Sequence, residues 1–116
     1  MNDDRWRLAE IVELIDLALA DLEMVDAAAF VRDRRLVDAT AHRVMHIGEH
    51  TKQLSSDLRS RHDHLPWSNM AGMRNVIAHE YGRTDPRLVW RTVHEHFDGL
   101  RQICMIELQR LDDQGD

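Results

Sequence analysis

The most informative stretch of this chain reads Gly72-Met73-Arg74-Asn75-Val76-Ile77-Ala78-His79-Glu80-Tyr81-Gly82. A helix over residues 66–81 is predicted to carry an apolar stripe, with spacings of three and four, that comprises Trp67, Met70, position 74, Ile77 and Tyr81. An apolar residue is expected at position 74, but the sequence has Arg74 there. A buried guanidinium needs a partner, a ligand or a subunit interface, because an unpaired buried charge is costly. Arg74 is therefore the first candidate functional residue.

Three more helices are predicted around this one, over residues 4–28, over residues 35–60 and from Pro86 onward, where Asp85 is the expected N-cap. We expect the apolar faces of these helices to form the core. The face of the first helix comprises Leu8, Ile11, Ile15, Ala18, Leu22 and Val25, and that of the second comprises Val37, Ala41, Val44, Gly48, Thr51 and Leu58. The face of the helix that begins at Pro86 comprises Trp90, Val93, Phe97, Leu100, Cys104, Leu108 and Leu111. No segment alternates with period two. The sequence therefore predicts an all-α fold, a four- or five-helix up-down bundle.

Length and composition narrow the class of protein. A chain of 116 residues predicts a single domain, residues 1–116. A lone cysteine, Cys104, leaves no disulfide framework within the chain and suits a reducing cytoplasm. No apolar run reaches the roughly 18 residues of a membrane span, and the acidic start at residues 1–4 does not resemble a signal peptide. The net charge of −6 argues against a surface that binds nucleic acid all over.

One constellation points to a metal site. The sequence His46-Ile47-Gly48-Glu49-His50 matches the H-x-x-E-H pattern of one class of zinc proteases, and His42 extends the same helix face. A zinc enzyme is the weaker interpretation, because so short a chain leaves little room for a peptide-binding cleft. We predict no catalytic metal and no cofactor. Glu49 is instead expected to pair across the bundle with a cation such as Arg74.

A second constellation points to phosphodiester cleavage without a metal. It comprises Arg74, Asn75, His79 and Tyr81. Arg74 and Tyr81 are seven residues apart on a helix and nearly eclipsed, while Asn75 and His79 are four apart. An imidazole can take a proton from a ribose hydroxyl, a guanidinium can bind the phosphate, and Asn75 can orient His79. The structural alternative is that His79 pairs with Glu80 or a backbone carbonyl and that Arg74 forms a salt bridge in the core.

With these residues, the sequence resembles the HEPN superfamily and is most similar to the HepT-like toxins of HEPN/MNT toxin–antitoxin pairs, whose motif is R-x-x-x-x-H-x-Y. The similarity covers about residues 30–100. It rests on Phe30 with the charged cluster after it, Ile47-Gly48-Glu49, Leu65-Pro66-Trp67, Gly72-Met73-Arg74-Asn75, His79, Tyr81 and Val89-Trp90.

The resemblance implies a homodimer with two copies of Arg74 and His79 in one interface cleft. It implies a metal-independent endoribonuclease toxin, with His79 as general acid or base and Arg74 as phosphate partner. It also implies an MNT-type nucleotidyltransferase antitoxin that transfers AMP to Tyr81 and so blocks RNA entry. The rival hypothesis is a non-catalytic helical module that acts by binding this nucleotidyltransferase.

The basic residues that we expect to frame an RNA-binding cleft are Arg83, Arg87 and Arg91, with Arg59 and Arg61 as further candidates. The Arg32-Asp33-Arg34-Arg35 cluster is interpreted as a solvated face in preference to a phosphate-binding site.

Overall fold

The computed structural model describes residues 3–78 and 84–115, and for residues 73–78 it describes the backbone only. Within these ranges the chain forms six α-helices and no strand: α1 (Asp3–Leu22), α2 (Ala27–Arg32), α3 (Arg34–Gln53), α4 (Ser56–Arg61), α5 (Trp67–Ala78) and α6 (Pro86–Asp113). The prediction of an all-α bundle is confirmed. Four of the helices are long, and α2 and α4 are short helices of six residues each.

The core lies between α1, α3 and α6, and α3 also packs extensively against α5. The faces predicted from the apolar spacing are mostly buried, although Val25, Trp90 and Leu108 are only partly buried. The fully inaccessible side chains of the core include Leu8, Ile11, Ile15, Phe30, Val44, Ile47, Phe97 and Leu100. Helix α1 runs antiparallel to α6, since Arg5 pairs with Asp112 and Asp16 pairs with Arg101. Helix α3 is therefore the element that connects the α1–α6 pair to α5.

The predicted first helix, residues 4–28, was too long. Helix α1 ends at Leu22, and Asp26 starts a new helix because its side chain accepts a hydrogen bond from the backbone N–H of Ala29 at 2.8 Å. An aspartate that caps the next turn in this way competes with continuation of the first helix. Val25, between the two helices, is half-buried against the core.

The predicted second helix, residues 35–60, is divided into α3 and α4. Leu54 adopts an extended conformation, and the Ser55 side chain accepts from the backbone N–H of Leu58 at 3.2 Å, which caps α4. Ser55 is itself fixed from outside, because its backbone N–H and its hydroxyl both donate to the Asp4 carboxylate. A contact with α1 thus reinforces the break.

The third predicted helix, residues 66–81, is described from Trp67 to Ala78, and its last positions and Gly82 lie outside the described residues. The predicted start of the fourth helix is confirmed: Asp85 caps α6 by accepting from the backbone N–H of Arg87 at 3.0 Å, with Pro86 in the first turn. Among the described residues, no helix has the length and apolar character needed to cross a membrane.

Candidate functional site

The predicted catalytic residues belong to the end of α5 and the residues after it. The backbones of Arg74 and Asn75 are part of α5, but their side chains, together with the whole of His79, Tyr81 and Arg83, lie outside the described residues. The geometry of this constellation therefore stays a prediction. What the structure describes is the scaffold that positions α5.

Helix α5 is anchored at its first turn. Met70 is buried in the core, and the indole Nε1 of Trp67 donates to the backbone carbonyl of His62 at 2.8 Å. Along its length α5 packs against α3, on which Gly48 is buried and Glu49 is exposed. Because both the start and one side of α5 are fixed, the backbone at positions 74 and 75 is held by the bundle.

The segment before α5 is tied to α6 by a buried carboxylate that the sequence did not reveal. The Glu107 side chain is only 3% exposed and lies 2.6 Å from Arg61 through Oε1 and 2.6 Å from the Nε2 of His62 through Oε2. Burial by itself raises the pKa of Glu107, but the hydrogen bonds from Arg61 and His62 outweigh burial and hold that pKa below its ordinary value. Arg61, expected to frame an RNA-binding cleft, is therefore engaged in an ion pair.

The other basic candidates divide between two clefts. Arg59 lines a cleft of about 580 Å³ between α4 and the start of α5, and its Nε is buried with no hydrogen-bond partner among the described residues. Arg87 and Arg91 lie in the first two turns of α6, where both are exposed. They line a second cleft, of about 760 Å³, whose opposite wall is α2. Two of the three predicted RNA-binding residues are thus brought together.

Of the three histidines on this face, two neighbouring rings lie together and the third is engaged elsewhere. The rings of His42 and His46 are 4.4 Å apart, centroid to centroid, but the ring of His50 makes an edge contact with Trp6 and its Nδ1 lies 3.3 Å from Arg7. Burial, followed by the charge of Arg7, lowers the pKa of His50. In the part of the chain that the structure describes, no three potential ligand side chains converge on one metal position.

A helical bundle in which α3 packs extensively against α5, the helix that carries the backbones of Arg74 and Asn75, is the architecture expected of a HEPN domain. The family model described as ribonuclease HepT-like matches residues 8–106. The chain belongs to this family, which confirms the resemblance drawn from the sequence.

Two relatives agree with this assignment. The chain is 30% identical over 109 residues to a candidate RNase of Caldanaerobacter subterraneus subsp. tengcongensis, covering 94% of this chain and 92% of that protein. It is 32% identical over 94 residues to a candidate ribonuclease HepT of Thermococcus cleftensis, covering 81% and 83%. No solved structure matches the chain. At the level of the family, these matches support ribonuclease activity.

Proposed function

We propose that this protein is the toxin of a toxin–antitoxin pair and that it cleaves RNA without a metal ion, using Arg74 and His79 in a cleft between two copies of the chain. The observation that carries the proposal is the Arg74-x4-His79-x-Tyr81 pattern in a chain that belongs to the ribonuclease HepT-like family. The firmly anchored α5, which carries the backbone of Arg74, supports it.

In the proposed reaction, His79 takes the proton of a ribose 2′-hydroxyl and the 2′-oxygen attacks the adjacent phosphorus. The bond to the 5′-oxygen of the next nucleotide breaks, and that oxygen leaves with a proton supplied by a protonated histidine or by water. Arg74 binds the phosphate and stabilises the negative charge that develops on it. Asn75 orients His79, and Glu49 fixes the guanidinium of Arg74. An acid or base placed in this way typically contributes about 10²- to 10⁴-fold in rate.

The proposed partners are a second copy of this chain and an MNT-type nucleotidyltransferase antitoxin. The dimer provides the subunit interface that an arginine on the predicted apolar stripe needs. The antitoxin silences the toxin by transferring AMP from ATP to the hydroxyl of Tyr81, with release of pyrophosphate. The bulky phosphate-linked group beside Arg74 then occupies the position of the RNA phosphate.

RNA cleavage in excess EDTA tests the proposal. The purified protein, first checked by intact mass for the absence of AMP on Tyr81, is expected to cut single-stranded RNA, while His79→Ala and Arg74→Ala lose at least about 10²-fold in rate. His46→Ala is the matched control, since it removes an exposed histidine of the alternative zinc motif. It is expected to cleave at the wild-type rate.

Each other outcome supports a different class of protein. Loss of cleavage in EDTA together with inactivity of His46→Ala indicates a metal enzyme and refutes the proposal. No cleavage by an unmodified, dimeric wild-type protein indicates the non-catalytic module that acts by binding its nucleotidyltransferase partner.

A further inference from the structure

We propose that α2 forms part of the RNA-binding surface, and that Arg32 joins Arg87 and Arg91 in holding phosphate groups of the RNA strand in the cleft between α2 and the start of α6. The inference rests on the proposed ribonuclease function and extends its substrate path. It also replaces the interpretation of Arg32 as part of a solvated charged face.

The cleft is built by packing that fixes α2 on α6. Phe30 is fully buried, and its ring lies 5.3 Å from that of Trp90, centroid to centroid. Asp26 caps the start of α2, and Arg32 is the last residue of this helix before Asp33, which caps α3. The cleft is lined by Ala27, Ala28, Val31, Arg32, Asp85, Arg87 and Arg91. The three guanidinium groups therefore share one cleft, although they come from two distant parts of the sequence.

The arginines of this cleft are not neutralised by ion pairs with described residues. Several arginines elsewhere are paired with carboxylates: Arg34 with Asp38, Arg61 with Glu107 and Arg101 with Asp16. In contrast, the structure shows no ion pair between Arg32, Arg87 or Arg91 and any residue it describes. Asp85 is the one carboxylate among the lining residues, and it already accepts a hydrogen bond at the N-terminus of α6.

These features fit a phosphate backbone with a sugar and base beside it. Guanidinium groups bind phosphates through paired hydrogen bonds, and residues four apart on one helix, such as Arg87 and Arg91, lie about 6 Å apart and face the same way. The small apolar side chains of Ala27, Ala28 and Val31 leave space next to the charges for the uncharged parts of a nucleotide.

The cleft is also within reach of the proposed catalytic residues. Asp85 follows His79 by six residues, and six residues of fully extended chain span at most about 21 Å. A single RNA strand can therefore contact both places. An acidic segment of a partner protein has matching charge as well, but RNA is favoured because the chain belongs to a ribonuclease family.

RNA binding by variants that cannot cleave tests the proposal. In the His79→Ala background, the affinity for a short single-stranded RNA is measured by fluorescence anisotropy over a series of salt concentrations, with and without Arg32→Gln. The matched control is Arg35→Gln, since Arg35 is exposed, lies three residues along the chain and does not line the cleft. Both substitutions change the net charge equally, and both side chains are exposed, so thermal unfolding is expected to match the parent protein.

Arg32→Gln is expected to weaken RNA binding about tenfold, as for the loss of one charge-assisted hydrogen-bonded contact. The slope of log affinity against log salt is expected to become shallower by about 0.7, the value for one phosphate contact to a single strand. Arg35→Gln is expected to change neither.

Equal behaviour of the two variants overturns the proposal. It is equally overturned if Arg32→Gln leaves RNA binding intact and weakens only the complex with the nucleotidyltransferase, because the cleft then belongs to an acidic protein partner. The affinity measurement does not depend on cleavage. A wild-type protein that binds RNA through Arg32 but does not cut it refutes the proposed catalysis and leaves this inference standing.

Discussion

At the level of single residues, a charge on a predicted apolar stripe selected Arg74 as a candidate, and its role stays a prediction. Glu107 was overlooked because the neighbouring Leu108 also satisfies the spacing of α6. In the structure the expected burial of the two neighbours is exchanged, because Glu107 is buried and Leu108 is only partly buried. Spacing defines a face within about one residue, so it cannot decide which of two adjacent residues points into the core.

Replacement of Glu107 tests what this buried carboxylate contributes. Glu107→Gln keeps the shape but removes the charge that pairs with Arg61 and His62, so unfolding by urea at pH 7 is expected to show a loss of about 2–3 kcal/mol. Because the pKa of Glu107 is lowered from 4.5 in the folded state, its stabilising effect is present above about pH 4.5 and is lost as pH falls through the lowered value.

The stability of Glu107→Gln is therefore expected to depend less steeply on pH in the acidic range than that of the wild-type protein. Glu95→Gln, on an exposed position of the same helix, is the control and is expected to leave both the stability and the pH profile unchanged. Parallel profiles for the wild-type protein and Glu107→Gln contradict the assigned role of the carboxylate.

At the level of elements, the sequence predicted the long helices and their buried faces but misplaced two boundaries. Both errors have the same cause. Asp26 and Ser55 each cap the start of a new helix, and no glycine or proline nearby marks the break in the sequence. Aspartate and serine also occur inside helices, where they have little effect. Their capping role depends on a local hydrogen bond, and for Ser55 also on a contact with Asp4 that lies far away in the sequence.

Loss of the Asp26 cap is expected to loosen α2 specifically. Asp26→Ala removes the hydrogen bond to the backbone N–H of Ala29 and is expected to cost about 1 kcal/mol of stability. Hydrogen exchange is expected to accelerate at the amides of residues 29–33 more than in α3 or α6. Asp98→Ala, an exposed aspartate within α6, is the control and is expected to change stability by less than about 0.5 kcal/mol. Uniform acceleration across the bundle argues against a local cap.

At the level of the whole molecule, sequence patterns predicted the all-α bundle, and the resemblance supplied the family. Neither could reveal the cleft between α2 and α6, because Arg32 and Arg91 line it together through tertiary packing that includes the contact of Phe30 with Trp90. Periodicity describes one helix at a time and carries no information about which ends of two helices lie together. The same limit applies to the proposed dimer, which depends on a surface shared by two chains.

Mixing two inactive variants tests the shared site of the proposed dimer. Arg74→Ala and His79→Ala homodimers are each expected to be inactive. After subunit exchange, a mixed dimer has one intact Arg74 and one intact His79, so some cleavage is expected to return if both chains contribute to one cleft. Exchange is verified by native mass spectrometry of differently tagged chains. Mixed dimers that form and remain inactive argue that each chain holds its own site.

The ion pair between Arg5 and Asp112, with 2.7 Å between nitrogen and oxygen, has a practical consequence for handling the protein. It brings the first turn of α1 beside the end of α6, at one pole of a molecule 46 Å long. Arg87, at the other end of α6, lies about 37 Å away at 1.5 Å per helical residue. A biotin or affinity label at either terminus therefore attaches the protein to a sensor surface by the pole opposite the basic cleft. RNA in the flowing solution then meets that cleft unobstructed.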